Sequence, residues 1–223
     1  MRPIRLISLA LLAALAGLWG ASWALKAPGE GIGESFARRI ASFTGADIPP
    51  PSSGGVVMPQ GLSLGGPFSL TDHTGQAVTE ADFAGRVLLV YFGFTFCPDV
   101  CPTELGIMAQ AMEDLGPQAA QVTPILITID PERDTPAALA PYVQNFHPAM
   151  RGLTGTPQQI AEVARRYRVY YQRVQRPDMT EYLMDHSSFI YLVGPDGRVR
   201  NLFRPESPPE AIAAAVRGVL RAG

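Results

Sequence analysis

Runs of basic residues are missing from this chain. Formal net charge is −2 and neither lysine nor arginine clusters at length, which excludes electrostatic capture of a nucleic acid. No internal repeat is evident. At 223 residues, 47% of them hydrophobic, the chain suits one main domain with appendages and is too short for two large ones. Cysteine and histidine are scarce, with two of the first and three of the second. The two cysteines stand together, in "YFGFTFCPDVCPTEL" (Tyr91 to Leu105), with a proline after each.

Behind "MRPIR" lies an uncharged run from Leu6 to Leu25, about the length needed to cross a bilayer as a helix. "SWA" before Leu25 offers a rival reading as a cleaved signal peptide. The apolar run exceeds the core of such peptides, however, and Trp19 and Trp23 suit an interfacial anchor. Arg2 and Arg5 before the run, against Lys26 alone after it, predict a cytoplasmic N-terminus. The remainder would lie where thiols can be oxidised. Residues 1–25 are thus expected to form a single-pass anchor, and the Pro/Gly/Ser-rich residues 26–60 a flexible tether. Residues 61–223 would form the globular domain.

Within that domain, "RVLLVYFGF" and "PILITID" are apolar runs of strand length, suited to central strands covered on both faces. Between them, Leu105, Met108, Met112 and Leu115 recur at helical spacing, giving a right-handed parallel crossover. Thr156-Pro157 with Gln159, and Ser207-Pro208 with Glu210, read as capping boxes opening two later helices. "SFIYLVGPDGRVRNLF" reads as a hairpin turning at Pro195-Asp196-Gly197. The predicted fold is α/β, a mixed central sheet flanked by helices in the thioredoxin-like layout, behind an N-terminal transmembrane helix.

Pro102 predicts a helix start that places Cys101 near its cap, where free N–H groups and the helix dipole would depress the thiol pKa. Residues four apart on a helical turn are close enough for a disulfide or a shared metal ion. A structural disulfide closing so small a ring stabilises weakly, which favours chemistry. Three residues lie between the cysteines, rather than the two of a thioredoxin redox pair, and this leaves room for a metal. Two thiolates form a soft donor set for Cu(I) or zinc, wanting a further ligand. His73 beside a turn and His147 at a helix end need no function. His186, in "LMDHSSFIYLVG", precedes a central strand on the loop that should face the cysteines, and Asp185 is a candidate to fix its ring.

Four stretches, "FGFTFCPDVCPTEL", "TIDPERDTPAALAPYV", "GLTGTPQQIAEVARRYRVYY" and "YLMDHSSFIYLVGPDGRV", together resemble the Sco copper chaperones. These are membrane-anchored, thioredoxin-like proteins that assist cytochrome c oxidase assembly. The resemblance implies one copper ion, Cu(I) or Cu(II), held by Cys97, Cys101 and His186. It also implies delivery to the binuclear copper site of oxidase subunit II, with other copper carriers or thiol reductases as further partners. The alternative is a thiol:disulfide reductase using Cys97 and Cys101 to keep the target's cysteines reduced; a peroxidase related to peroxiredoxins is a weaker third reading. With no Arg- and Ser-rich presequence before the apolar run, the expected location is a bacterial inner membrane with the domain in the periplasm.

Asp130, Glu132 and Asp134 in "IDPERDTP" read as a solvated loop capping the helix that Thr135-Pro136 opens. Met108 and Met112 are expected in the core, Met179 and Met184 as no more than transient thioether donors. Phe92, Phe94 and Phe96 are expected to pack the strand end.

Overall fold

The computed structural model describes residues 55–59, 64–175 and 180–222, with residues 17, 19–21 and 23 near the N-terminus. The chain divides into two compact units, Met1–Ser52 and Ser53–Gly223. In the first, the described residues are helical, and Trp19 and Trp23 are exposed. Among the described residues no helix is long and apolar enough to cross a membrane. Most of the expected anchor and of the tether through residue 54 lies outside the described residues.

The second unit is built on an eight-stranded sheet. Its strands are β1 (Gly55–Val57), β2 (Ser69–Asp72), β3 (Ala77–Thr79), β4 (Val87–Gly93), β5 (Val122–Thr128), β6 (Arg151–Thr154), β9 (Ile190–Val193) and β10 (Val199–Phe203), in the order β1-β10-β9-β4-β5-β6-β2-β3. A separate ribbon pairs β7 (Tyr171–Val174) with β8 (Leu183–His186). β4, β5 and β6 run parallel and the other pairings are antiparallel. Every residue of β4 and β5 is buried, as two continuous apolar runs covered on both faces require.

The helices are α1 (Val100–Leu115), α2 (Pro136–Gln144), α3 (Pro157–Arg166) and α4 (Pro209–Ala222). α1 crosses from β4 to the parallel β5 and packs on α4, while α2 lies on β6. The apolar stripe of α1 is buried as its spacing predicts, Met108 and Met112 included. Thr156 and Gln159 form the expected capping box of α3. At α4 the expectation shifts, because the Ser207 hydroxyl donates to Arg204 O at 2.8 Å and the helix begins at Pro209.

The sheet starts earlier than the boundary at residue 61. Gly55–Val57, inside the segment read as tether, pairs with β10 as an edge strand. Its short length, with Val56 and Val57 exposed, left no periodicity to read. Gly55 is required there, since an added Cβ would fall 2.8 Å from the Phe203 ring.

Candidate metal centre

β4 ends at Gly93, and residues 94–99 turn the chain into α1. Cys97 lies in that turn, half-buried, while Cys101 is the second residue of the helix and fully buried. Cys101 N–H donates to Cys97 Sγ at 3.4 Å, an N-terminal helix amide aimed at the sulfur. Both cysteines are free thiols.

His186, the last residue of β8, brings Nε2 to 3.5 Å from Cys101 Sγ. The sulfurs and the imidazole nitrogen all lie within 4.8 Å of one another. His186 Nδ1 is 3.1 Å from Ser187 O. A carbonyl only accepts, so Nδ1 carries the proton and the Nε2 lone pair faces the sulfurs. Phe94 and Tyr91 stand edge-on to the imidazole, with centroids at 6.0 and 6.1 Å. The expected partner Asp185 does not hold the ring. It is exposed, and alternation along β8 sends it to the face opposite His186.

The thiols are unequal, and in the reverse of the expected sense. Cys97 is held well below the ordinary thiol range, first by the hydrogen bond from Cys101 and further by the N–H groups of Asp99 and Cys101. Cys101 is pushed up by its hydrogen bond to Cys97 and by burial. The helix starts at Val100, so its free amides point back at Cys97, while Cys101 is already inside the first turn.

The "IDPERDTP" loop is not solvated as expected. Of its three carboxylates, Asp130 and Asp134 are buried and Glu132 alone is exposed. Asp134 accepts from Thr95 N at 3.0 Å, Thr95 Oγ1 at 2.5 Å and Thr128 Oγ1 at 2.6 Å, pinning the cysteine turn to the end of β5. Asp130 accepts from the Tyr182 hydroxyl at 2.8 Å and from Arg133 Nε at 2.5 Å. The Arg133 guanidinium lies 3.7 Å from the Tyr182 ring and 4.6 Å from that of Phe96, and Arg173 covers Tyr182 at 3.6 Å. Phe96 adjoins Cys97, while Arg173 and Tyr182 belong to the β7–β8 arm, so this stack clasps the histidine arm to the cysteine turn. Thr135 does cap α2 as predicted, accepting from Ala138 N.

Other expectations sort simply. Phe92 and Phe94 are buried, but Phe96 is 50% exposed beside Cys97. His147 Nδ1 accepts from Ala149 N, and His73 Nδ1 accepts from Gly152 N. Neither joins the cluster. Met184 packs half-buried against the core; Met179 lies outside the described residues. Two buried groups carried no sequence signal: Tyr91, beside Cys101, and Glu104, one turn after it, which accepts from Glu206 N at 2.8 Å.

Two soft thiols and an imidazole lone pair converging on one point, on a sheet with a parallel crossover and a closing hairpin, define a thioredoxin-like domain adapted to hold a thiophilic metal. The family model described as SCO1/SenC matches residues 57–221. The chain belongs to that family. It is 46% identical over 160 residues to the mitochondrial protein SCO1 homolog of Homo sapiens, a match covering 71% of this chain and 53% of that protein. The matched region is thus about half of that relative's length. Bradyrhizobium japonicum ScoI, solved with copper bound, superposes with a TM-score of 0.66 at 43% identity, covering 70% of this chain and 99% of that one. BsSco, a Sco protein in which a disulfide switch was identified, superposes at 0.59 with 27% identity, covering 74% and 98%.

Proposed function

We propose that this protein is a copper carrier that holds one copper ion through Cys97, Cys101 and His186 and assists assembly of the binuclear copper site in cytochrome c oxidase subunit II. The observation that carries the reading is the convergence of these three donors within 4.8 Å, with the imidazole proton directed away from the sulfurs. The family supports the cargo, since relatives at 40% and 43% identity are solved with copper bound. BsSco is described as one of a family of cytochrome c oxidase assembly proteins. Three donors on a turn and an arm suit a carrier, because an incoming thiolate displaces them one at a time.

A second reading is favoured by the unequal thiols. A low-pKa Cys97 beside a protonated Cys101 is the arrangement for thiol–disulfide exchange. Cys97 thiolate would attack a target disulfide and Cys101 would release the reduced target, leaving a Cys97–Cys101 disulfide. We place the domain outside the cytoplasm of a bacterium, tethered by residues 6–25, on the uncharged run and its flanking Arg2 and Arg5.

The test is anaerobic Cu(I) titration of the reduced full chain in detergent against a competing chelator. One copper per chain is expected, weakened at least about a hundredfold by His186→Ala and by Cys97→Ser, which is about 2.7 kcal/mol. Equal binding by wild type and His186→Ala refutes the three-donor site, whereas dithiol exchange that survives His186→Ala supports the second reading.

A further inference from the structure

Tyr91 stands on β4 two residues before its end, and its side chain is wholly buried. The enclosed hydroxyl completes no hydrogen bond of ordinary geometry. Such a group is unusual, because an unmet hydroxyl is costly in a folded interior. The hydroxyl lies beside the Cys101 sulfur and the Ser188 hydroxyl. Ring and sulfur both crowd Gly93, where an added Cβ would fall 2.7 Å from Tyr91 Cε1 and 3.0 Å from Cys101 Sγ. The same ring stands edge-on to His186. A donor without an acceptor therefore points at the most deeply buried of the three candidate ligands.

We propose that Tyr91 is a positioning residue of the metal centre, donating its phenol O–H to the Cys101 sulfur when that sulfur serves as a ligand. The inference rests on the copper reading above. A thiol sulfur is a weak acceptor, whereas a ligating sulfur is a thiolate, and hydrogen bonds to charged acceptors are about twice as strong as neutral ones. The bond is therefore made mainly in the loaded protein, and its energy appears in metal affinity rather than in stability of the free protein. It also fixes the bearing of the sulfur and draws electron density from it. The Ser188 hydroxyl, two residues after His186, lies on the other side of the phenol oxygen. The phenol thus stands between the histidine loop and the buried sulfur. Tyr142 on α2 is a matched control: its hydroxyl is also buried and unpartnered, but it meets the sulfurs only through charge.

The test compares wild type, Tyr91→Phe and Tyr142→Phe as reduced full chains in detergent. Cu(I) affinity is read by chelator competition, and the sulfur-to-copper charge-transfer band after loading with Cu(II). Tyr91→Phe should weaken Cu(I) binding about tenfold, or 1.4 kcal/mol. It should also move the band to longer wavelength, because a thiolate without its donor gives up an electron more readily. The unfolding midpoint of the metal-free protein should not fall, and Tyr142→Phe should leave both readouts unchanged. A Tyr91→Phe protein with wild-type affinity and band overturns the proposal, as do equal changes in both variants. If Tyr91→Phe does not fold, NMR of the Cu(I)-loaded wild type decides: a slowly exchanging Tyr91 hydroxyl proton near the Cys101 β protons is expected, and its absence overturns the proposal. A wild type that binds no copper defeats the carrier reading as well; altered behaviour confined to the variants bears on Tyr91 alone.

Discussion

Asp134→Ala should unpin the cysteine turn while leaving all three candidate ligands in place. The wild-type carboxylate is fully buried and accepts three hydrogen bonds, from Thr95 N at 3.0 Å, Thr95 Oγ1 at 2.5 Å and Thr128 Oγ1 at 2.6 Å. A hydrogen bond to a charged acceptor contributes about 1.5–3 kcal/mol, and a buried donor left unmet costs about 1–3 kcal/mol. Against the loss of three such bonds stands relief of the carboxylate's own desolvation, which raises the Asp134 pKa. A net loss of about 3–5 kcal/mol follows, the range for breaking a buried charged network. At about 2–4 °C per kcal/mol for a domain of this size, the unfolding midpoint should drop by about 10 °C. Calorimetry of the reduced, metal-free protein measures this. Asp134→Asn retains the volume and one acceptor oxygen, and should lose less than half as much. A carboxyl whose folded pKa is raised contributes stability that is fully present below its unfolded pKa, about 3.9, and is lost as pH rises through the folded pKa. Wild type should therefore decline relative to Asp134→Asn as pH climbs from about 4. An alanine variant within about 1 kcal/mol of wild type would refute the reasoning, because three buried bonds cannot vanish without cost.

Three further outcomes follow from the same geometry. At pH 6, iodoacetamide should modify Cys97 and spare Cys101, since only the first thiol is held below the ordinary range; mass spectrometry of the peptides checks this, and equal labelling contradicts it. Arg133→Met removes the guanidinium from between Phe96 and Tyr182 and its bonds to Asp130 and Tyr182 O, so amide exchange in β7 and β8 should quicken about tenfold or more while β4 and β5 keep their protection. Gly93→Ala forces a Cβ to within 2.7 Å of Tyr91 and 3.0 Å of Cys101, and should cost about 1–3 kcal/mol in a denaturant titration and weaken metal binding together.

Patterns local in the chain were legible without coordinates. The apolar runs that became β4 and β5 needed only their composition, since a central strand is hydrophobic on both faces. The stripe of α1, the capping box of α3 and the β9–β10 hairpin are likewise set by residues within a few positions of one another. Local too was the thiol pair, and His186 could be singled out by its place before a buried strand. The edge strand β1 could not, because three residues with two exposed valines carry no period.

What the tertiary structure alone decided was how distant residues meet. Asp134 is 39 residues from the Thr95 it pins, and Tyr182 is 52 from Asp130. In the chain, "IDPERDTP" has the polarity of a solvated cap; only the fold closes over it and turns its carboxylates into interior acceptors. The inversion of the thiols has the same origin. The cysteines and the helix-opening proline are local facts, but the charge preference of each sulfur depends on where the first turn begins and which sulfur the sheet and arm enclose. The sequence by itself determined which atoms are available for soft-metal chemistry. Burial, helix register and the meeting of β4 with the β7–β8 arm determined which thiol is held low and which is pushed up, which nitrogen faces the sulfurs, and which phenol stands beside Cys101.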